Sequence, residues 1–168
     1  ALYNNTADNN TAVGGSALLA NTSGGYNTAV GYLSLDANTT ASYNTALGRE
    51  SLTDNITGAQ NSAVGVYALR RNTTGTSNTG MGYASLITNT TGTNNTAYGH
   101  NSLYANTTSS NNTALGTNAL IANTTGSSNA AVGSGALDAN TTGAANTSVG
   151  VSSLGSTTTG QHNVAVGY

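Results

Sequence analysis

The sequence predicts an all-β fold, a parallel β-solenoid of about ten coils with one sequence repeat in each coil. Three observations support this architecture. An Asn recurs with a constant period of 17, as from Asn10 to Asn27, a Gly follows it after four residues, and a Leu follows the Gly after another four. Strict repetition at a fixed period is typical of solenoids, and this period is too short for a helical pair. The unit reads N-T-A-V-G-x-x-A/S-L-x-x-N-T-T-G-x-x.

The repeat covers residues 1–168 as a single array, and three of its columns are nearly constant along the chain. The first Asn column opens the coils and comprises Asn10, Asn27, Asn44, Asn61, Asn78, Asn95, Asn112, Asn129, Asn146 and Asn163. The Leu column comprises Leu18, Leu35, Leu52, Leu69, Leu86, Leu103, Leu120, Leu137 and Leu154. The second Asn column comprises Asn21, Asn38, Asn55, Asn72, Asn89, Asn106, Asn123 and Asn140, and Thr157 stands in the next place.

The apolar pieces of each unit are short and end at Gly or Asn, which favours strands over helices. In N-T-A-V-G, Thr11 and Val13 point to one face while Asn10 and Ala12 point to the other. The A/S-L piece predicts a second, shorter strand. Gly and Asn are expected to take the left-handed conformations that the corners of a coil require.

Equivalent residues of successive coils are expected to stack about 4.8 Å apart, as neighbouring strands do. The Leu column then forms one apolar ladder, and the two Asn columns form amide ladders. We expect a second apolar ladder, the Val column, to face the Leu column across a thin core if a single chain closes its own coil. The Val column comprises Val13, Val30, Leu47, Val64, Met81, Tyr98, Leu115, Val132, Val149 and Val166.

The composition excludes several classes of partner. Charged residues make up 5% of the chain, against about 25% in a typical globular domain. The net charge is −2 and the chain has no Lys, so the clustered cations that nucleic-acid binding needs are absent. No Cys is present, which excludes disulfides and thiolate metal sites. No apolar run is long enough to predict membrane insertion.

Residues capable of catalysis or metal binding are few and scattered. His100 and His162 lie several repeats apart, and Asp36 and Asp138 share a column but are separated by six coils, about 29 Å. Arg49, Glu50 and Asp54 predict one local ion cluster on the surface. We therefore expect no enzymatic activity, no cofactor and no metal site.

Two polar patterns suggest further roles. Each residue of the second Asn column begins an Asn-x-Thr/Ser sequon, so the column is a set of candidate N-glycosylation sites, unless the Asn and Thr serve only turns and ladders. The paired threonines that follow, such as Thr73-Thr74, resemble the threonine arrays of β-solenoid antifreeze proteins. Their place between Asn and Gly instead suggests a turn.

The unit N-T-A-V-G-x-x-A-L resembles the head repeats of trimeric autotransporter adhesins and is similar to the repeat stalks of bacteriophage tail fibres. The resemblance covers the whole chain, although the period is longer than in the adhesin heads and the N-T-T-G turn is added. It implies a parallel β-solenoid, often with three chains side by side, and a role in surface display or host attachment.

These observations predict a structural segment of an extracellular fibre or filament, located on a cell surface or a virion. The alternatives are an adhesin or phage receptor-binding fibre that contacts host glycans and, more remotely, an ice-binding protein. The expected partners are further copies of the chain, stacked head to tail or as a homotrimer, and a host-surface glycan. Because the repeat runs to both termini, we expect either a longer array or head-to-tail stacking.

Overall fold

A computed structural model describes residues 1–168, and the chain forms the predicted all-β parallel solenoid, with about nine turns and no helix. Each coil contributes one strand to a single ten-stranded sheet whose spatial order is the chain order. The strands are β1 Thr11–Val13, β2 Thr28–Val30, β3 Thr45–Leu47, β4 Ser62–Val64, β5 Thr79–Met81, β6 Thr96–Tyr98, β7 Thr113–Leu115, β8 Ala130–Val132, β9 Thr147–Val149 and β10 Val164–Val166.

The register of the sheet confirms that equivalent residues stack. Thr11 pairs with Thr28 and Val13 with Val30, and the same offset of one repeat holds for every neighbouring pair of strands. A shift by one residue would turn every inward side chain outward. The sequence period therefore fixes the pairing of the strands.

The prediction of a second strand in each coil is wrong, because the A/S-L piece forms a turn. All nine members of the Leu column have φ between 50° and 53°, in the left-handed region. The glycine that follows each strand also has positive φ, from 129° to 142°, as expected for a corner. The two Asn columns do not. Positive φ also recurs two residues before each Leu, as in Leu33, and directly before the first Asn column, as in Tyr43, so four columns form the corners and, unexpectedly, the core Leu is one of them.

The core consists of the Leu column, the Ala that forms the middle of most strands and the Ala that precedes the Leu in several coils, not of the Leu and Val columns. Leu35 and Ala29 are fully buried, whereas the side chains of Val13 and Tyr98 in the Val column point outward and are each 58% exposed. The alternation along the strand was predicted, but its inner face was assigned wrongly. The interior leaves little room beside this Ala: a Cβ placed on Gly80, which replaces it, lies 3.1 Å from Ser85 Oγ and 3.3 Å from Leu69 Cγ.

The two Asn columns hold the opposite side of each coil together. Asn55 Nδ2 donates to Asn38 Oδ1 in the preceding coil at 3.1 Å and to the carbonyl oxygen of Gly58 at 2.9 Å. Asn44 Nδ2 donates to the same carbonyl at 2.9 Å, while its backbone N–H donates to Asn27 Oδ1 at 2.9 Å. Two buried amides therefore converge on one carbonyl, and each also bonds to the coil before it.

Thr157 interrupts the second Asn column and leaves a buried acceptor without a donor. Asn140 Oδ1 has no hydrogen-bond partner, although the corresponding oxygens of the coils before it accept from the next Asn. We expect Thr157→Asn to supply bonds to Asn140 Oδ1 and to the Gly160 carbonyl and to raise the free energy of unfolding by about 1–2 kcal/mol.

Chemical denaturation measures this gain. The control is Thr159→Asn, which places the same amide at an exposed position two residues away. Equal stability changes in the two variants would contradict the role assigned to the second Asn column.

Candidate functional site

The constant columns of the repeat belong to the scaffold. The Leu column and the two Asn columns are buried wherever a coil lies on both sides, and only members near the ends of the array, such as Asn10, Leu154 and Asn163, are partly exposed. Away from the two ends of the array, the surface available to a partner is therefore formed by outward side chains of the other columns.

The second Asn column, which the sequence marks as candidate N-glycosylation sites, is buried in the folded chain. All eight of its sequon asparagines are 0% exposed. Each Nδ2, to which a glycan would be attached, already donates to a carbonyl or to the neighbouring amide, as in Asn72 and Asn89. A glycan there would break the ladder, so the Asn and Thr of these sequons serve the coil. The residues concerned are Asn21, Asn38, Asn55, Asn72, Asn89, Asn106, Asn123 and Asn140.

The paired threonines lie in a bend and not on a flat sheet. The first hydroxyl of each pair is used within the fold, as in Thr73, whose Oγ1 donates to the carbonyl of Thr90 at 3.0 Å. The outward face of the sheet instead carries the Thr that begins most strands and the Val column that ends them.

One side of the solenoid carries an ion cluster centred on Glu50, which is 7% exposed. Its Oε1 lies 2.9 Å from Arg49 Nη2, and its Oε2 lies 3.0 Å from Arg70 Nε in the next coil. The hydrogen bond to Glu50 raises the pKa of Arg49 above its ordinary value. Asp54, which was expected in this cluster, forms no ion pair. Two guanidinium groups against one carboxylate leave the cluster with a net positive charge.

Aromatic rings extend this cluster along the solenoid axis. The guanidinium carbons of Arg49 and Arg70 lie over the Tyr67 ring, 5.6 and 5.4 Å from its centroid. Tyr83 meets Tyr67 edge to face at 5.8 Å, and His100 stacks on Tyr83 at 5.4 Å. Cation–π and ring–ring contacts of this kind stabilise exposed side chains by roughly 0.5–1.5 kcal/mol each. Four successive coils thereby present an ordered polar and aromatic strip.

A groove of about 520 Å³ opens beside this strip, and we call it the Tyr67–Tyr104 groove. A smaller and more apolar hollow of about 320 Å³ lies on the outer face of the sheet around Val64, Met81 and Tyr98. The larger groove is lined by Tyr67, Arg70, Tyr83, Ala84, Ile87, Asn101, Tyr104 and Ile121. It combines rings, aliphatic groups, an amide and one guanidinium, which is the mixture found in small-ligand sites.

The groove residues lie in three variable columns, and each looks ordinary along the sequence. An alignment of the repeats nevertheless indicates this site. When the coils are aligned on the first Asn column, Arg49, Glu50, Tyr67, Arg70 and Tyr83 fall in three successive coils and in neighbouring columns. Both ion pairs of the chain are thus concentrated at one place on the array.

The histidines and the remaining carboxylates do not come together. His100 belongs to the aromatic strip, His162 lies in the last coil, and no group of three or more His, Asp or Glu side chains is placed to hold a metal ion. Asp36 differs from the other carboxylates in its environment, because its Oδ1 is buried and receives no hydrogen bond. Burial raises the pKa of Asp36 above its ordinary value.

A raised pKa means that the folded chain favours the neutral carboxylic acid. The contribution of Asp36 to stability is therefore fully present below about pH 4, where the acid is also neutral in the unfolded chain, and is lost as the pH rises through the folded pKa. We expect Asp36→Asn, which mimics the neutral acid, to raise the melting temperature at pH 7 and to leave it nearly unchanged at pH 3.

Calorimetry at the two pH values measures this difference. Asp54→Asn, which removes the same charge from an exposed position, serves as the control. If both variants shift the melting temperature equally at pH 7, burial of Asp36 is not the cause.

Comparison of the chain with protein-family models, curated proteins and solved structures finds no match. The structure contains no helix with the length and apolarity needed to cross a membrane. The functional argument therefore rests on the geometry of the coil and of its outward columns.

Proposed function

We propose that this chain is a structural segment of an extracellular fibre or filament, in which stacked coils supply length and rigidity. The observation that carries the proposal is the unbroken register of the sheet, in which every coil offers the next one the same set of partners. At the strand spacing, ten coils span about 48 Å, and each added coil lengthens the stack without changing its cross-section. The resemblance to adhesin heads and tail-fibre stalks favours an exposed location on a cell or virion.

The edge strands β1 and β10 are where such a stack would continue. Within the array, the backbone N–H of Thr147 donates to the Asn163 carbonyl of the following coil at 2.8 Å, but the N–H of Val164, one coil later, has no acceptor. A further coil, from the same chain or another copy, would use this N–H. Exposed strand edges of this kind are templates for pairing.

Electron microscopy of the purified chain tests the proposal. We expect fibres much longer than a single array, with an axial repeat of about 4.8 Å in diffraction. Val164→Pro removes a donor that the folded chain does not use and should shorten the fibres. Val164→Thr, which keeps the N–H and restores the usual residue of the repeat, should not. Globular particles, or only separate rods of about 5 nm, would contradict head-to-tail stacking.

Lateral association of copies is proposed from the Val column. Its outward side chains form an apolar stripe along the sheet, including Val64, Met81 and Tyr98 around the smaller hollow. Contiguous exposed apolar surface marks interaction sites. In the Val164→Pro background, which limits head-to-tail stacking, we expect sedimentation velocity to show a trimer that Met81→Lys converts to monomers, with Arg71→Gln as a control on another face. A monomer in the Val164→Pro background alone would contradict lateral association.

A second candidate function, an adhesin that binds surface glycans, is favoured by the aromatic strip and the Tyr67–Tyr104 groove. These features are confined to a few coils, whereas a pure spacer needs no such concentration. A glycan array probed with the whole chain tests this function independently of fibre formation. The absence of any bound glycan would contradict it.

A further inference from the structure

The Tyr67–Tyr104 groove is a depression with a small floor and larger walls. Ala84, fully enclosed beneath the groove, occupies the column that holds Tyr67 one coil earlier and Asn101 one coil later. The coils that carry the two walls are two steps apart, about 9.6 Å between backbones. This spacing admits one flat ring between the wall side chains.

The chemistry of the lining is amphipathic. Tyr83 and Tyr104 expose 50% and 39% of their surface, and Ile87 and Ile121 add aliphatic groups beside them. Tyr rings provide a large apolar face together with a polar edge. The amide of Asn101 lies in the same lining and can both donate and accept hydrogen bonds. A ligand with apolar C–H faces and a rim of hydroxyl groups matches this combination.

The groove also carries a positive charge that is only partly neutralised. Arg70 Nε lies 3.0 Å from Glu50 Oε2 but forms no hydrogen bond. The terminal nitrogens of Arg70 form no hydrogen bond within the chain, and 40% of its side chain is exposed. Glu50 is shared with Arg49, so one carboxylate faces two guanidinium groups. None of the groove-lining residues is acidic. The planar guanidinium pairs with a carboxylate through two parallel hydrogen bonds.

We propose that the Tyr67–Tyr104 groove binds a carboxylated sugar, with the pyranose ring against Tyr83, Tyr104 and Ile87 and the carboxylate on Arg70. Asn101 hydrogen-bonds the ring hydroxyls. This inference names the ligand class for the adhesin candidate and depends on that candidate, but it does not depend on fibre assembly.

The groove can be filled without altering the backbone. Ala84 has φ of 53°, and Leu33, in the same column two coils away from the groove's first wall, has φ of 55°. The column therefore accepts Leu in this conformation, and Ala84→Leu should close the groove while the chain folds. Ser152→Leu, at φ 54° in the same column but outside the groove, is the matched control.

Isothermal titration with an oligosaccharide of glucuronic acid, and with its neutral glucose counterpart, tests the inference on the full chain. We expect the acidic sugar to bind at least about tenfold more tightly than the neutral one, since a charged bidentate pair is worth this much. Ala84→Leu should abolish binding and Arg70→Gln should weaken it by a similar factor. Ser152→Leu and Arg71→Gln should leave it unchanged, the latter because Arg71 is exposed in the neighbouring column.

Equal binding of the acidic and neutral sugars would overturn the role of Arg70, and binding that survives Ala84→Leu would overturn the groove as the site. Either result is distinct from failure of the adhesin function itself. If the glycan array shows bound glycans that persist in Ala84→Leu and Arg70→Gln, the chain is an adhesin that uses another surface. Far-ultraviolet circular dichroism of each variant confirms that the coil is intact.

Discussion

Alanine in place of Gly133 is expected to remove about 3 kcal/mol or more from the free energy of unfolding, a large effect for the addition of a single methyl group. Gly133 has φ of +135°, a conformation that is essentially restricted to glycine. An added Cβ would lie 2.6 Å from the carbonyl carbon of Gly150 in the next coil, and closer still to its oxygen. Because both atoms belong to backbone, neither can move without separating the two coils.

Gly135→Ala in the same coil is the matched control. Gly135 has φ of +66°, and the nearest atom to an added Cβ is Ser152 Oγ at 3.4 Å. Ala84 and Ala145 already occupy left-handed conformations at φ 53° and 55°. The cost should stay near 1 kcal/mol, roughly the usual penalty of this conformation. Chemical denaturation of the two variants measures both values, and equal losses would show that stacking distance does not restrict the glycine column.

Truncation of a core leucine is the second large effect. Leu52→Ala should cost about 2–5 kcal/mol, because Leu52 is 0% exposed and the surrounding coils cannot close the cavity. Leu47 belongs to the same coil but to the outward Val column and is 45% exposed. Leu47→Ala should therefore cost less than about 1 kcal/mol.

Comparison of Leu52→Ala with Leu47→Ala distinguishes the Leu column from the Val column by the same Leu-to-Ala change. Denaturation midpoints give the difference in stability, and hydrogen exchange shows whether Leu52→Ala loosens the neighbouring coils, as nearest-neighbour coupling in a repeat array requires. A larger loss for Leu47→Ala would mean that the Val column faces the core after all.

The sequence was sufficient for the coil, its period and the parallel register, because a residue that must stack on its equivalent cannot drift. The backbone N–H of Asn44 donates to Asn27 Oδ1, so the separation of these two residues along the chain must equal the length of one coil. The inner face of the strand was not predictable in the same way. Strict alternation places Ala29 and Val30 on opposite faces of the strand but does not indicate which face points into the interior of the coil. Hydrophobicity alone predicts Val on the inner face, but the narrow interior of the coil is filled by the smaller Ala.

The left-handed Leu was also beyond sequence reasoning. Propensity assigns positive φ to Gly and Asn, whereas Leu86 adopts φ of 52° because the turn aims its side chain inward and burial outweighs the strain. The candidate site was predicted only in part. The Arg49–Glu50 pair is adjacent in sequence, but Arg70 joins it from more than one full repeat further along the chain, across the boundary between two coils.

The amide ladders give the solenoid a direction. In both Asn columns the bond to the neighbouring coil runs one way: the later residue donates and the Oδ1 of the earlier residue accepts, as between Asn72 and Asn55 or Asn95 and Asn78. The side-chain dipoles therefore add along the axis, and in each ladder the face toward the following coil offers amide acceptors while the face toward the preceding coil offers donors. Two stacks brought together by a two-fold axis would oppose acceptor to acceptor. Only a heterologous junction continues the ladder, so an assembly of these coils is a polar rod whose two ends differ chemically and can grow, or be capped, independently.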